Sequence, residues 1–345
     1  MTYSIGIGGK RELIARGLLW SGALWLAARL PARDSLLVLT YHRIGNPDED
    51  LFDPGAFSAT GDQFNDQISY LKRRGLLVTL EEALAFVDGR LKERVRRCRV
   101  LITFDDGYRD NYEIAFPILR SHGAQGVFFL VTGMIGSTKV PWWDHIAYLM
   151  KTGRSRRFSL HYPADLAVDI VKDGLEDSLR AVLKLYKRPE NLDAARFMED
   201  LAEQTRGDNL PGTMRRFLNA GEAREMVAEG MAIGSHTHSH QVLNQLAADR
   251  QAEELTRSRS ILKEQLGIAT DVLAYPVGAK LSFSIETQRI ARESGYRAAF
   301  SHHGGRNMPG KTCAYDIKRN KVGSQSWNRF RVQSAVCSLT GSYWP

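Results

Sequence analysis

The sequence of 345 residues predicts an α/β domain built on a largely parallel sheet. Two observations carry that prediction. Short apolar, β-branched runs alternate with stretches of helical period, and the most distinctive polar motifs stand directly after two of those runs. With 43% hydrophobic and 25% charged residues, the chain can bury a full core in one large domain or two modest ones.

Taken in order, the first element is a helix within residues 1–33. Lys10, Arg11 and Arg16 precede an uncharged run, Gly17 to Ala28, closed by Arg29. The run falls short of the roughly 20 residues that span a bilayer. Ala28-Arg29-Leu30-Pro31 does not form a small-x-small cleavage site, so the helix is expected to be retained. Trp20 and Trp25 among arginines suit peripheral contact with a membrane interface, and an ordinary helix packed on the domain suits the same residues. The first reading places the chain in the cytoplasm at the inner membrane face, and the second makes it a soluble cytoplasmic protein.

The candidate strands are Leu36 to Tyr41, Leu76 to Leu80, Val100 to Phe104, Val127 to Val131, Met231 to Ser235, Val272 to Tyr275, Arg297 to Ser301 and Ile317 to Val322. Helices fill most of the gaps. Thr79 with Glu82 forms a capping box for a helix through Val87, and Asp62 is placed to cap a helix running to Arg74. From about 151 to 229 the alternation stops. That stretch holds long helical patterns, Leu175 to Lys187 and Asp193 to Gln204, punctuated by Gly153, Pro163, Pro189 and residues 207–212, with no clear strand. It reads as a helical insertion in a catalytic domain spanning 34–345.

Composition narrows the chemistry. Cys98, Cys313 and Cys337 are odd in number and far apart, so neither a disulfide framework nor a zinc knuckle is indicated, and a reducing compartment fits. The net charge of +8 is concentrated at Arg94, Arg96, Arg97, Arg99 and at Arg154, Arg156, Arg157. Charge runs of this kind are usually solvated faces, and without interleaved aromatic residues or a known module they do not make a nucleic-acid site. Gly6 to Lys10 lacks P-loop spacing, and no dinucleotide-binding glycine turn is present.

The run Val100 to Phe104 ends in Asp105-Asp106-Gly107. Adjacent carboxylates at the carboxyl end of a buried strand repel each other, and keeping both ionised calls for a cation. Alone, the motif reads equally as an Asp-Gly turn. The segment Gly234-Ser235-His236-Thr237-His238-Ser239-His240 follows another strand and gathers three of the nine histidines. Two imidazoles separated by three residues can converge on one ion, and two His with one Asp leave open the coordination position that a hydrolytic metal needs. The glutamate of HExxH is missing. Asp/His₂ ligation suits Zn²⁺, with Co²⁺, Ni²⁺ or Mn²⁺ as alternatives.

Thr103-Phe104-Asp105-Asp106-Gly107 and His236-Thr237-His238-Ser239-His240 resemble the first two motifs of the polysaccharide deacetylases, carbohydrate esterase family 4. The resemblance extends through Leu39 to Ile44, Asn111-Tyr112, Ala115 to Leu119, Ala124 to Gly133, Ala274-Tyr275-Pro276 and Gly295 to Ala299. It implies a distorted (β/α)₇ barrel, a divalent metal held by Asp106, His236 and His240, and Asp105 as the general base. It also implies the backbone N–H of Tyr275 as oxyanion donor, with His238 not a ligand. Two departures stand out. Leu273-Ala274-Tyr275-Pro276 lacks the arginine that orients the base in many members, and the usual C-terminal Leu-x-His is not evident. In both respects the sequence resembles the exopolysaccharide branch, including deacetylases of poly-N-acetylglucosamine, where a Tyr-His near the start of the domain supplies the acid. Here that is His42, with His302 and His303 as competitors.

The expected activity is therefore metal-dependent removal of N-acetyl groups from hexosamines of a glycan or a lipid-linked oligosaccharide. A non-catalytic glycan-binding or assembly factor, and a deformylase of a lipid-linked aminosugar, stand as alternatives. Trp142, Trp143 and Asp144 read either as a sugar subsite or as core.

Overall fold

The computed structural model describes residues 34–91, 98–187, 192–207, 210, 215–268, 270–323, 327–328 and 330–332. The helix expected within 1–33, Arg94, Arg96, Arg97, Pro189 and Cys337 lie outside the described residues. The strands are β1 Ser35–Tyr41, β2 Arg43–Ile44, β3 Phe57–Ala59, β4 Cys98–Phe104, β5 Gly126–Leu130, β6 Arg157–Leu160, β7 Leu166–Asp169, β8 Ala232–Ser235, β9 Val272–Ala274, β10 Ala298–Ser301 and β11 Ile317–Lys321.

Seven of these close into a barrel in the order β1-β11-β10-β9-β8-β5-β4, with β4 pairing back onto β1. Every neighbouring pair is parallel. This is the (β/α)₇ barrel that the sequence resemblance implies. Because all the strands point one way, the residues just beyond their carboxyl ends share one mouth, where such barrels carry their chemistry. His42, Asp105, His236, Tyr275 and His302 are those residues.

Side chains alternate in and out along each strand. One buried cluster collects Val38, Leu101, Val127, Phe129, Ala274, Phe300 and Ile317 from six strands and fills the barrel. The alternate residues, such as Leu39, Ile102, Phe104 and Phe128, join Phe64, Ile68, Phe116 and Met226 of the surrounding helices in a second cluster. Counting by twos from the filling residues brings His42, Asp105, His236, His302 and Arg319 onto the inward side. The same count turns Tyr275 outward, where it stacks on Phe283 at 4.4 Å and belongs to a third cluster.

Seven of the eight expected strands form the barrel. The eighth, Leu76 to Leu80, is reduced to a bridge between Leu77 and Val100, because the Thr79–Glu82 capping box starts the helix Leu80–Val87 at once. The helix Gly61–Arg73 is capped by Thr60 with Gln63 rather than by Asp62, which falls in its first turn.

The described residues of 46–57 and 138–216 form a second compact unit, distinct from the first unit, made of the described residues of 34–45, 58–137 and 217–332. Its core is Ile146, Leu149, Met150, Val182, Leu185, Phe197 and Leu201. The sequence places this insertion at about 151–229 and sees no strand in it. In the structure it starts earlier, recruits 46–57, ends at 216 and contains the antiparallel pair β6–β7. Each of those strands has four residues, too few for an alternating pattern to show between long helical stretches. Trp142 and Trp143 belong to this unit. Trp142 is partly buried and stacks on Tyr186 at 4.2 Å, and Trp143 is buried, so both pack in this unit's core. Asp144 is likewise buried, 3.4 Å from Arg216.

Candidate active site

The strand-to-loop turn after β4 sets the two carboxylates apart. Asp105 continues the inward phase, whereas Asp106 has φ +71° and Gly107 φ +77°, a sharp reversal that re-aims the second carboxylate. A Cβ on Gly107 would meet Leu130 Cδ2 at 2.7 Å, so glycine is required for its conformation and for its space. The His loop is strained in the same way, with Thr237 at φ +66° and His240 at +60°. Left-handed conformations at residues other than glycine cost about 1–3 kcal/mol each and persist where the surroundings enforce them, often at functional sites.

Asp106 Oδ1 lies 3.6 Å from His236 Nε2 and 3.4 Å from His240 Nε2. One donor atom from each of the three side chains lies within 4.8 Å of the others. Donors at about 2.1 Å from a tetrahedral ion are about 3.4 Å apart, so the spacing to Asp106 fits a divalent cation. The donor set fits as well. His236 Nδ1 meets the Ala274 carbonyl at 2.8 Å; donation to that carbonyl leaves the Nε2 lone pair for a metal. Burial lowers the His236 pKa, which favours the neutral imidazole that a ligand must be. His238 is directed elsewhere, with its Nδ1 3.0 Å from Thr132 Oγ1.

Asp105 meets a residue absent from the sequence reading. Arg319, on β11 and fully buried, reaches both carboxylate oxygens, at 2.6 and 2.8 Å, and donates from Nε to the Ser301 carbonyl at 3.0 Å. Burial pushes the Asp105 carboxyl up, but the charge of Arg319 and the hydrogen bonds from its guanidinium hold it well below the usual carboxylate range. Asp105 is therefore held by an arginine on β11, not by one in the third-motif region around Ala274-Tyr275-Pro276. The signal was present: in Ile317-Lys318-Arg319 the buried phase of a strand carries an arginine, which almost always means a buried anion to pair with.

His42 is fixed by its backbone. Its N–H donates to Ser58 Oγ at 3.0 Å, and its carbonyl accepts from Asn111 Nδ2 at 2.7 Å. Asp110 adds an ion pair to Arg43 at 2.8 Å, tying this turn to the segment that follows the two carboxylates. The His42 ring lies 5.8 Å from that of His302, and these two imidazoles and Asp105 present donor atoms within 4.8 Å of one another. Desolvation lowers the His42 pKa well below 6.5, with Asp105 opposing. Desolvation and then Arg319 lower that of His302 to about 3. Both rings are therefore uncharged in the resting site near neutral pH. His303 turns away to Asp316, at 2.9 Å.

Tyr275 does not present the expected oxyanion donor. Its N–H is committed to the Phe300 carbonyl at 3.0 Å, and its hydroxyl donates to the Tyr315 carbonyl at 3.0 Å. Because β9 and β10 remain paired at this level, the bond belongs to the barrel ladder, and the residue serves the wall.

Comparisons with known proteins point to one family. The polysaccharide deacetylase family matches residues 92–299. The chain is 21% identical over 273 residues to YxkH of Bacillus subtilis (strain 168), whose name places it among the polysaccharide deacetylases. It is 33% identical over 116 residues to the poly-beta-1,6-N-acetyl-D-glucosamine N-deacetylase of Staphylococcus epidermidis. The matches cover 79% and 31% of this chain, and 66% and 39% of those relatives' own lengths. In fold, it is similar to the Streptococcus pyogenes deacetylase PplD, with TM-score 0.56 and 20% identity over 87% of this chain and 98% of that one. It is also similar to IcaB from Ammonifex degensii, with TM-score 0.54 and 21% identity over 88% and 97%. With more than half of its length matched by the family, a closed seven-stranded barrel and the Asp-Asp and His-x-x-x-His motifs converging at one mouth, the chain belongs to the polysaccharide deacetylase family.

Proposed function

We propose that the protein is a metal-dependent hydrolase that removes N-acetyl groups from hexosamine residues of a glycan, releasing acetate and a free amine. The observation that carries this reading is the division of labour between adjacent carboxylates: Asp106 faces two imidazoles at 3.4 and 3.6 Å, while Asp105 is held by Arg319. A divalent ion, Zn²⁺ by its donor set, would supply a water acidic enough to attack an amide at neutral pH and would polarise the carbonyl. Asp106, His236 and His240 would hold it. Asp105, ionised at all working pH values, accepts the proton of the attacking water. Asp105 and His42 offer atoms within 4.8 Å of each other, so that proton has a short path to His42 and from there to the departing nitrogen, which leaves only when protonated. Since His42 is uncharged at rest, it acts as acid on the proton gained in this cycle.

The similarity to the Staphylococcus epidermidis enzyme favours a poly-N-acetylglucosamine-type substrate, free or lipid-linked. The oriented base favours catalysis over passive glycan binding, because a binding module has no use for a buried Asp–Arg pair beside its ligand. The test is release of acetate and primary amine from N-acetylglucosamine oligomers by zinc-loaded protein. Binding without product across several metals would support the assembly-factor reading instead. We place the chain at the inner membrane face through residues 10–33. Recovery only in the soluble fraction, at low and high salt, would remove that placement.

A further inference from the structure

The loop that carries the two histidines is held from outside the barrel by one carboxylate. Glu254, on the helix Ala248–Leu266, is 7% exposed. Its Oε2 accepts the backbone N–H of His238 at 3.0 Å and of Ser239 at 2.8 Å, and its Oε1 accepts the Ser239 hydroxyl at 2.7 Å. The loop's other flank is fixed by the segment after β5. There Thr132 N–H donates to the Thr237 carbonyl at 3.1 Å, and Gly133 N–H donates to the His238 carbonyl at 2.8 Å. The left-handed Thr237 and His240 flank the gripped residues His238 and Ser239, and their conformation turns the second imidazole back towards Asp106.

We propose that Glu254 is a positioning residue for the metal centre, which sets metal affinity and coordination geometry without being a ligand. This rests on the metal reading above. Its three bonds, all accepted by one carboxylate, oppose the relaxation of Thr237 and His240 to ordinary backbone angles, which would carry the His240 imidazole away from the Asp106 carboxylate. Among the described residues, the hydrogen bonds of this carboxylate go to His238 and Ser239, between the ligands, so its effect reaches the ion through loop geometry. Partners of this kind, one bond removed from the ligands, typically change metal affinity by about 10–100-fold when lost.

The test is Co²⁺ titration of full-length wild type and Glu254→Gln, followed by the visible absorption of the bound ion, with melting of the metal-free proteins in parallel. Glutamine keeps the shape and can hold its carbonyl on the two backbone N–H groups with its NH2 against the Ser239 hydroxyl, so it removes the carboxylate's charge, which strengthens all three bonds. The expected result is a Co²⁺ dissociation constant raised about 10–100-fold and an altered visible spectrum, out of proportion to any change in metal-free melting. A second variant, Ser239→Ala, removes one of the three bonds and is expected to shift affinity in the same direction by less, which keeps the test open should Glu254→Gln fail to fold. Unchanged affinity and spectrum, even with lowered melting, would overturn the proposal and leave Glu254 a packing residue. Wild type that binds neither Co²⁺ nor Zn²⁺ would overturn the metal reading itself, and this proposal with it.

Discussion

Replacing Arg319 by methionine separates the two effects that this side chain exerts on Asp105. Its guanidinium is wholly enclosed and bonds both carboxylate oxygens, at 2.6 and 2.8 Å. Removing one partner of such a pair leaves a buried charge and costs about 3–5 kcal/mol of stability. Opposite charges about 4 Å apart at an effective dielectric of about 20 attract by about 4 kcal/mol, equivalent to about three pKa units. Burial is the largest influence on Asp105 and acts upward. In Arg319→Met it is no longer overcome, and the carboxyl rises above 3.8 towards neutrality. The acid limb of kcat/KM should therefore move up by as much as about three pH units. The plateau should fall about 100-fold, because the base is no longer aligned. Arg319→Lys keeps the charge and loses the fork, so it should move the limb less than it lowers the plateau. The double variant Arg319→Met with Asp105→Asn should regain much of the lost stability, since no uncompensated charge remains. A folded Arg319→Met enzyme with the wild-type plateau and an unmoved acid limb would refute the role of the pair.

Three further outcomes follow from the same geometry. His42→Ala should retain its metal, because His42 is not one of the proposed ligands Asp106, His236 and His240, and should lose about 10²–10⁴-fold in kcat; wild-type turnover in His42→Ala with loss in His302→Ala would transfer the acid role to His302. His302 has a folded pKa of about 3 against 6.5 unfolded, so folding favours its neutral form: that stability is present above about pH 6.5 and is lost as pH falls towards 3. His302→Gln should accordingly flatten the dependence of urea stability on pH in this window, by at most about 1.4 kcal/mol per pH unit; an unchanged slope at pH 4 to 6 would count against its enclosure. Chelation should abolish turnover reversibly and lower melting, since free metal at 100 times its Kd contributes about 2.7 kcal/mol; equal melting with and without metal would speak against the site.

The barrel was legible because strands such as Ser35–Tyr41, Cys98–Phe104 and Gly126–Leu130 are short, largely apolar runs between stretches of helical period, and the carboxyl ends of two strands carry the dense Asp-Asp and His-x-x-x-His motifs. What escaped depended on contacts across the sheet. Arg319 stands 214 positions from Asp105, and only barrel closure brings β11 against β1 and hence near β4. Glu254 looks from the sequence like one more charge on a polar helix, and only its burial against the loop shows its use. Tyr275 failed in the opposite direction. Its motif suggested a free N–H, and strand pairing consumed it. The bounds of the second unit were misplaced because residues 46–57 join it from a distant part of the chain.

The central claim is that Asp106, His236 and His240 hold the metal while Asp105, beside them but not a ligand, performs the proton transfer. The most direct measurement takes metal content and acetate release on the same preparations of wild type, Asp105→Asn and Asp106→Ala. The account predicts one divalent ion and steady acetate release from wild type, an equal ion content with release reduced at least about 100-fold in Asp105→Asn, and loss of both in Asp106→Ala. Asp105→Asn releasing acetate at the wild-type rate, or Asp106→Ala retaining a full equivalent of metal, would contradict it.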